Sequence, residues 1–425
     1  MALDSTVYET YCEILRQELI PAMGCTEPIA IAYAAALAGQ QLGGAPERIH
    51  AGLSGNIIKN VKSVVVPGTG GARGIAAALA AGLVAGHPEK RLEVLSGLTE
   101  ADAAQVRDLA ECCPVEIEPL DSGHIFDIQL TMIRGADEVR VRLVDAHTNV
   151  VLVEKNGVPV LARPVEAAAQ EEQEDRKMLN VRDIVEFAET VDLNLLRPIL
   201  ERQLEMNLAI AEEGLRNPYG ANIGKTLLAQ SDDVRTRARA MAAAGSDARM
   251  NGCELPVCIV SGSGNQGLTA SVPVAVYAKH LGASHEELLR ALIVSDLVTV
   301  HQKTGIGRLS AYCGAISAGC GCGAGIAYLH GGRFREIAHT VVNAVAILSG
   351  TICDGAKSSC AAKIAMAVDA GILGYEMFQN GQEFRGGDGI VTKGVERTIE
   401  NVGQLARIGM RETDKEIMRI MTEQN

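Results

Sequence analysis

The 425-residue chain is 47% hydrophobic but only 3% aromatic, with no Trp, so its core must be built from Ala, Val, Ile, Leu and Gly, which suits close helix–helix packing more than a cage of rings. A net charge of −13 without a long basic run argues against nucleic acid as a partner, and no stretch has the length and character of a membrane span. The acidic opening MALDSTVYET lacks the basic-then-apolar order of a secretory signal, so a cytoplasmic protein of two or three domains is expected, at roughly 100–200 residues each.

In residues 5–20, Val7, Tyr11, Ile14, Leu15 and Leu19 recur at helical spacing, and Pro21 ends the run. PAMGCTEP follows, with Cys25 behind a glycine and directly before Thr26-Glu27-Pro28, which reads as a helix start. A helix N-terminus carries unpaired N–H groups and partial positive charge, so a thiolate there is favoured over a thiol. The same residue also fits a small apolar gap-filler. After the Ala-rich IAIAYAAALAGQQLGG, RIHAGLS and VKSVVVPG are β-branched runs bounded by Gly and Pro and are expected as strands. PGTGGARG then feeds a helix, and LEVLSG, DAAQVRDLAECC and VEIEPL read as strand, helix, strand. From 124 to 162, IFDIQLTMI, EVRVRLVDA, NVVLVEKNG and VPVLAR are spaced like an antiparallel meander.

From about 164 the pattern is helical. The charge run EEQEDRK reads as a solvated helix face or linker. Three stretches dense in Gly and Ser interrupt the rest: SGSGNQG (261–267), CGAISAGCGCGAG (313–325) and SGTICDGAKSSC (349–360). The expected fold is α+β: a mainly helical catalytic domain from 1–46 and 164–425, with an α/β module inserted at 47–163.

Eleven cysteines are an odd count for a disulfide framework. Five of them, Cys313, Cys320, Cys322, Cys353 and Cys360, fall close together, which in a reducing compartment suggests metal or cluster chemistry more than bridges. None matches the paired CxxC of a zinc ribbon. Spacing alone leaves two readings open: a cluster loop folded around DGAKSS, or small residues packed between helices. SGSGNQG could present N–H, hydroxyl and amide donors to a phosphate or a carboxylate, or be a plain turn. PGTGGARG is a second anion-site candidate, without the spacing of a dinucleotide fingerprint. GCGAG within a helical stretch is most simply a packing surface. His147, in DAHTNV, follows a strand, where a side chain can be presented to a site or serve structure alone.

PAMGCTEPIA, NIIKNV with VPGTG, AHTNV, SDARM, SGSGNQG, RLSAYC and ICDGAKSSC occur in this order. Together they resemble the L-cysteine desulfidase family, which is related to the iron–sulfur L-serine dehydratases, and the likeness runs nearly end to end. The resemblance implies an oxygen-sensitive [4Fe–4S] cluster held by Cys313, Cys353 and Cys360, and a catalytic thiol at Cys25. Cys320 and Cys322 fall outside the motifs and are treated as packing residues. The implied reaction is β-elimination of L-cysteine to pyruvate, ammonia and hydrogen sulfide. In it an open iron would act as a Lewis acid and the Cys25 thiolate would take the α-proton. Asn56, Lys59, His147, Ser261, Ser263 and Asn265 are expected to hold the substrate. Serine dehydratases of this group also carry a cysteine near the C-terminus, and this chain has none after Cys360.

Three rival readings stay open. One is the same fold acting on L-serine or another β-substituted amino or hydroxy acid. Another is a pyridoxal-phosphate lyase with Lys357 as its Schiff base. The third is a non-catalytic iron–sulfur sensor. The expected partner is a small-molecule substrate, without nucleic acid or membrane, and a homo-oligomer is compatible with all of this.

Overall fold

The computed structural model describes residues 3–165, 175–307 and 309–423. Helix α1 (Ser5–Glu18) opens on Asp4, whose side chain accepts from the Thr6 N–H, and it buries Tyr11, Ile14 and Leu15. Pro21 cannot extend the helix and begins the short strand β1 (Pro21–Met23). Gly24 then turns with φ of 53°, and a Cβ there would lie 2.3 Å from Pro67 Cγ. Only glycine allows that close, left-handed passage into helix α2 (Thr26–Leu42). Helix α2 is Ala-rich and buried on nearly every side.

The module that follows contains strand β2 (Arg48–Ser54), helices α3 (Gly55–Val61), α4 (Gly74–Ala85) and α5 (Glu100–Cys112), and strands β3 (Val115–Leu120), β4 (Asp127–Arg134), β5 (Asp137–Val144), β6 (Val150–Lys155) and β7 (Val158–Ala162). Its sheet runs β3-β2-β4-β5-β6-β7. The β2–β3 pair is parallel and the other neighbours are antiparallel. The meander expected from alternating residues is present: Ile128, Leu130 and Met132 of β4 and Val139, Val141 and Leu143 of β5 point into the core. Helix α2 packs against β4, β5 and α4. That sheet face and second helix cover its largely apolar surface.

Two expected strands are absent from the described residues. In VKSVVVPG, Val64, Val65 and Val66 are buried in a turn whose only ladder contact is the isolated bridge from Val65 to Arg73. Pro67-Gly68 stops extension, and the valines pair only locally, with residues 72–74 across that turn. LEVLSG begins inside a 3₁₀ turn (Pro88–Glu93) led by Pro88, and Leu92, Val94 and Leu95 turn inward. Proline at the first position favours the helical turn.

The helical body comprises α6 (Val181–Thr190), α7 (Arg197–Arg216), α8 (Ile223–Leu228), α9 (Val234–Met250), strand β8 (Pro256–Cys258), α10 (Gly264–Leu281), α11 (His285–Ile306), α12 (Gly314–Leu329), α13 (Phe334–Leu348), α14 (Cys360–Gln379), α15 (Val395–Gln404) and α16 (Arg411–Glu423). Helix α12 is central. A Cβ on Gly319 would lie 2.3 Å from the Ala367 oxygen of α14, and one on Gly321 would lie 2.4 Å from the Ser295 oxygen of α11. The glycine stripe is a backbone-to-backbone packing surface, and Cys320 and Cys322 are buried within it.

Strand β1 pairs antiparallel with β8, in register Pro21 with Cys258, and stitches the N-terminal segment to the body. Residues 171–174 of the charge run lie outside the described residues. Arg176, at its end, is buried in an ion pair with Glu18 at 2.6 Å, so it is no solvated face. Among the described residues no helix is long and apolar enough to cross a membrane.

Candidate active site

Four helix N-termini surround one cavity of about 100 Å³. Cys25 is the N-cap of α2, Ser263 of α10 and Cys313 of α12, and Cys360 is the first residue of α14. Each brings unpaired N–H groups and partial positive charge toward the same space. Cys313 and Cys353, remote in sequence, are joined by backbone pairing. The Cys313 N–H donates to the Thr351 oxygen at 3.0 Å and the Cys353 N–H to the Ala311 oxygen at 2.6 Å, on either side of a bridge between Tyr312 and Ile352. Gly355, at φ of 94°, turns the chain back toward α14 and Cys360. All four thiols line the cavity, and none of the eleven cysteines forms a disulfide.

Cys25 differs from its sequence-based expectation. Its Sγ donates to Glu27 Oε2 at 3.1 Å. Burial pushes its pKa well above the usual value, the Glu27 charge adds to this, and Arg249 opposes it. The residue is a thiol held by a carboxylate, because desolvation and a neighbouring negative charge outweigh the helix terminus. Burial alone would raise the Glu27 pKa. His147, the Cys25 hydrogen bond and Arg249 outweigh that effect and lower it, so the carboxylate is ionised. Asn60 Nδ2 donates to Glu27 Oε1 at 3.2 Å, and Thr26 Oγ1 lies 3.1 Å from both Glu27 Oε2 and the Gly262 oxygen.

Burial pushes the Cys313 thiol up to about 12, with Cys353 adding to it, and burial likewise raises Cys360. Among the described residues no group of three His, Cys, Asp or Glu side chains closes on a single metal ion. Three thiols spread around one cavity form a soft donor set. That set fits a multi-iron cluster, which spaces its ligands more widely than one ion does. Bound cations would reverse the local preference and favour thiolates.

His147, Ser261, Ser263 and Asn265 also line the cavity. His147 packs edge-on against Phe126, with centroids 4.9 Å apart, and lies beside Gly262. Asn56 and Lys59 do not line it; they bind Asp414 of α16 at 3.0 and 2.5 Å. Lys357 is paired with Asp354 at 2.5 Å, away from the cavity lining. Sequence reasoning assigned no role to Glu27, Asn60, Arg249, Gln266 or Lys303, which all line the cavity. None of these carried a local signal that singles it out: Asp247 stands two residues before Arg249, and Lys303 follows His301 and Gln302. Lys303 is buried, and burial brings its pKa down to about 8 against the pull of Cys353 and Cys313. Lys303, Ser261 and Leu309 also face an outer cavity of about 520 Å³, walled by the 123–126 and 145–149 loops.

The family model described as "Serine dehydratase alpha chain" matches residues 89–419, which places the chain with lyases of the serine dehydratase alpha-chain type. The match includes the three clustered cysteines and stops short of Cys25. The chain belongs to the UPF0597 family. It is 56% identical to a UPF0597 protein of Desulfitobacterium hafniense, over 98% of this chain and 97% of that one. It is 50% identical to one of Lachnoclostridium phytofermentans (98% and 100%) and 46% identical to one of Treponema denticola (99% of each).

Proposed function

We propose that the protein is an iron–sulfur-dependent carbon–sulfur lyase, an L-cysteine desulfidase, working in the reducing cytoplasm. The observation that carries this reading is the meeting of a Cys25–Glu27 proton pair with Cys313, Cys353 and Cys360 around one buried cavity. A [4Fe–4S] cluster held by those three thiolates would supply an open iron that polarises the leaving sulfur. Glu27 takes the Cys25 proton, and the resulting thiolate takes the α-proton of the substrate. The electrons of the Cα–H bond form the Cα=Cβ bond, the Cβ–S bond breaks, and sulfide leaves as HS⁻, which takes the proton from Glu27 and restores its carboxylate. The aminoacrylate product tautomerises and is hydrolysed by water to pyruvate and ammonium. Thr26 and Asn60 keep the Glu27 carboxylate aimed at Cys25, so the proton has one route.

A second reading, dehydration of L-serine by the same residues, is supported by the family match. A substrate panel on anaerobically purified protein tests the choice, with sulfide, pyruvate and ammonia measured. Equimolar sulfide and pyruvate from L-cysteine, faster than pyruvate from L-serine, is the expected result. Preference for L-serine would select the second reading, and iron-loaded protein inert to both would leave the sensor.

A further inference from the structure

Arg249 is only 2% exposed, lines the cavity, and its Nε has no hydrogen-bond partner. Among the described residues its guanidinium forms no ion pair; Glu27 acts on it electrostatically from beyond ion-pair distance. Helix α10 begins directly against it: a Cβ on Gly264 would lie 2.4 Å from Nε. On the same wall Asn265 Oδ1 and Gln266 Oε1 are buried and unpartnered. A buried guanidinium N–H without an acceptor is unfavourable, and so are buried carbonyl oxygens without donors. Groups of both signs are thus left unmatched side by side, and one small ligand with both charges would satisfy them.

We propose that this wall reads the zwitterion of an α-amino acid: the Arg249 fork takes the α-carboxylate, and the Asn265 and Gln266 amide oxygens take the α-ammonium. A planar guanidinium matches a carboxylate through two parallel N–H bonds, and amide oxygens only accept. The N–H groups opening α10 face the same anion. This moves the carboxylate from the SGSGNQG donors to Arg249 and makes the site select amino acids over hydroxy acids. The inference rests on the amino-acid lyase reading of the same cavity.

Anaerobic calorimetry tests it with L-alanine, which has no β-leaving group and is not turned over, propanoate, which lacks the amine, and ethylamine, which lacks the carboxylate. Unaltered protein should bind L-alanine at least about 10-fold more tightly than either fragment. Arg249→Lys keeps the charge and loses the fork. It should weaken L-alanine and propanoate by about 10–100-fold and leave ethylamine unchanged. Gln266→Leu should do the reverse, weakening L-alanine and ethylamine while sparing propanoate. Equal binding of the three ligands by unaltered protein, or an equal loss for all three in Arg249→Lys, would overturn the proposal. Should Arg249→Lys fail to fold, the unaltered protein and Gln266→Leu decide. Zwitterion selectivity without turnover of L-cysteine would sink the desulfidase reading alone. Turnover with KM unchanged in Arg249→Lys would sink the zwitterion site alone.

Discussion

Cys25 loses its proton only if something removes the penalty of burial, and among the described residues Glu27 is the one acceptor bonded to its thiol. Cys25→Ser should keep the fold and the bound iron yet lose turnover by about 10²–10⁴-fold, the usual contribution of a positioned acid–base group. Exchange of the substrate α-hydrogen with solvent should vanish with it; near-normal exchange would return Cys25 to a packing role. Asp296 of α11 is a second buried acid, remote from this chemistry and bonded by Gln203 Nε2 at 2.9 Å. Burial raises its pKa to about 7. The folded chain therefore holds this proton more tightly than the unfolded chain, so the group destabilises as it ionises. Its effect is absent below about pH 4 and grows by about 1.4 kcal/mol per pH unit up to about pH 7. Asp296→Asn should flatten that fall in denaturant melts across this range, and an unchanged slope would show that Asp296 is not its source.

Elements meet at the site because their ends were shaped for it. Legible in the sequence were the start of α2 at Thr26, the strands of the meander and the packing role of the glycine stripe, since capping, alternation and small-residue runs are local signals. Hidden were the two turns read as strands, where burial on all sides overrode β-branched propensity, and the destination of α2, which depends on a sheet still to come. The cavity was legible in part. Cys25, His147, Ser263 and the three clustered cysteines were named from motifs, whereas Arg249 and Lys303 reach it from helices whose burial only the tertiary fold reveals. Asn56 and Lys59 belong instead to a latch: they tie α3 to α16 through Asp414, and the Lys59 side chain is 1% exposed. Removing Asp414 leaves that ammonium buried and unpaired, so Asp414→Ala should destabilise the fold by about 3–5 kcal/mol in urea unfolding. A loss under about 1 kcal/mol would mean that the pair behaves as a surface contact.

At the scale of the whole molecule, the cavity draws Cys25, Glu27 and His147 from the first 150 residues and Arg249, Ser263, Cys313, Cys353 and Cys360 from the helical body. Neither group lines the whole cavity, and the β1–β8 pair joins the N-terminal segment to the body. The central claim is that Cys313, Cys353 and Cys360 serve one centre, and iron with acid-labile sulfide per chain after anaerobic purification tests it most directly. The account predicts about four irons in the unaltered protein, loss of most of them in Cys313→Ala, Cys353→Ala and Cys360→Ala, and full retention in Cys320→Ala and Cys25→Ser. Iron that survives unchanged in all three ligand variants, or none in the unaltered protein kept free of oxygen, would contradict it.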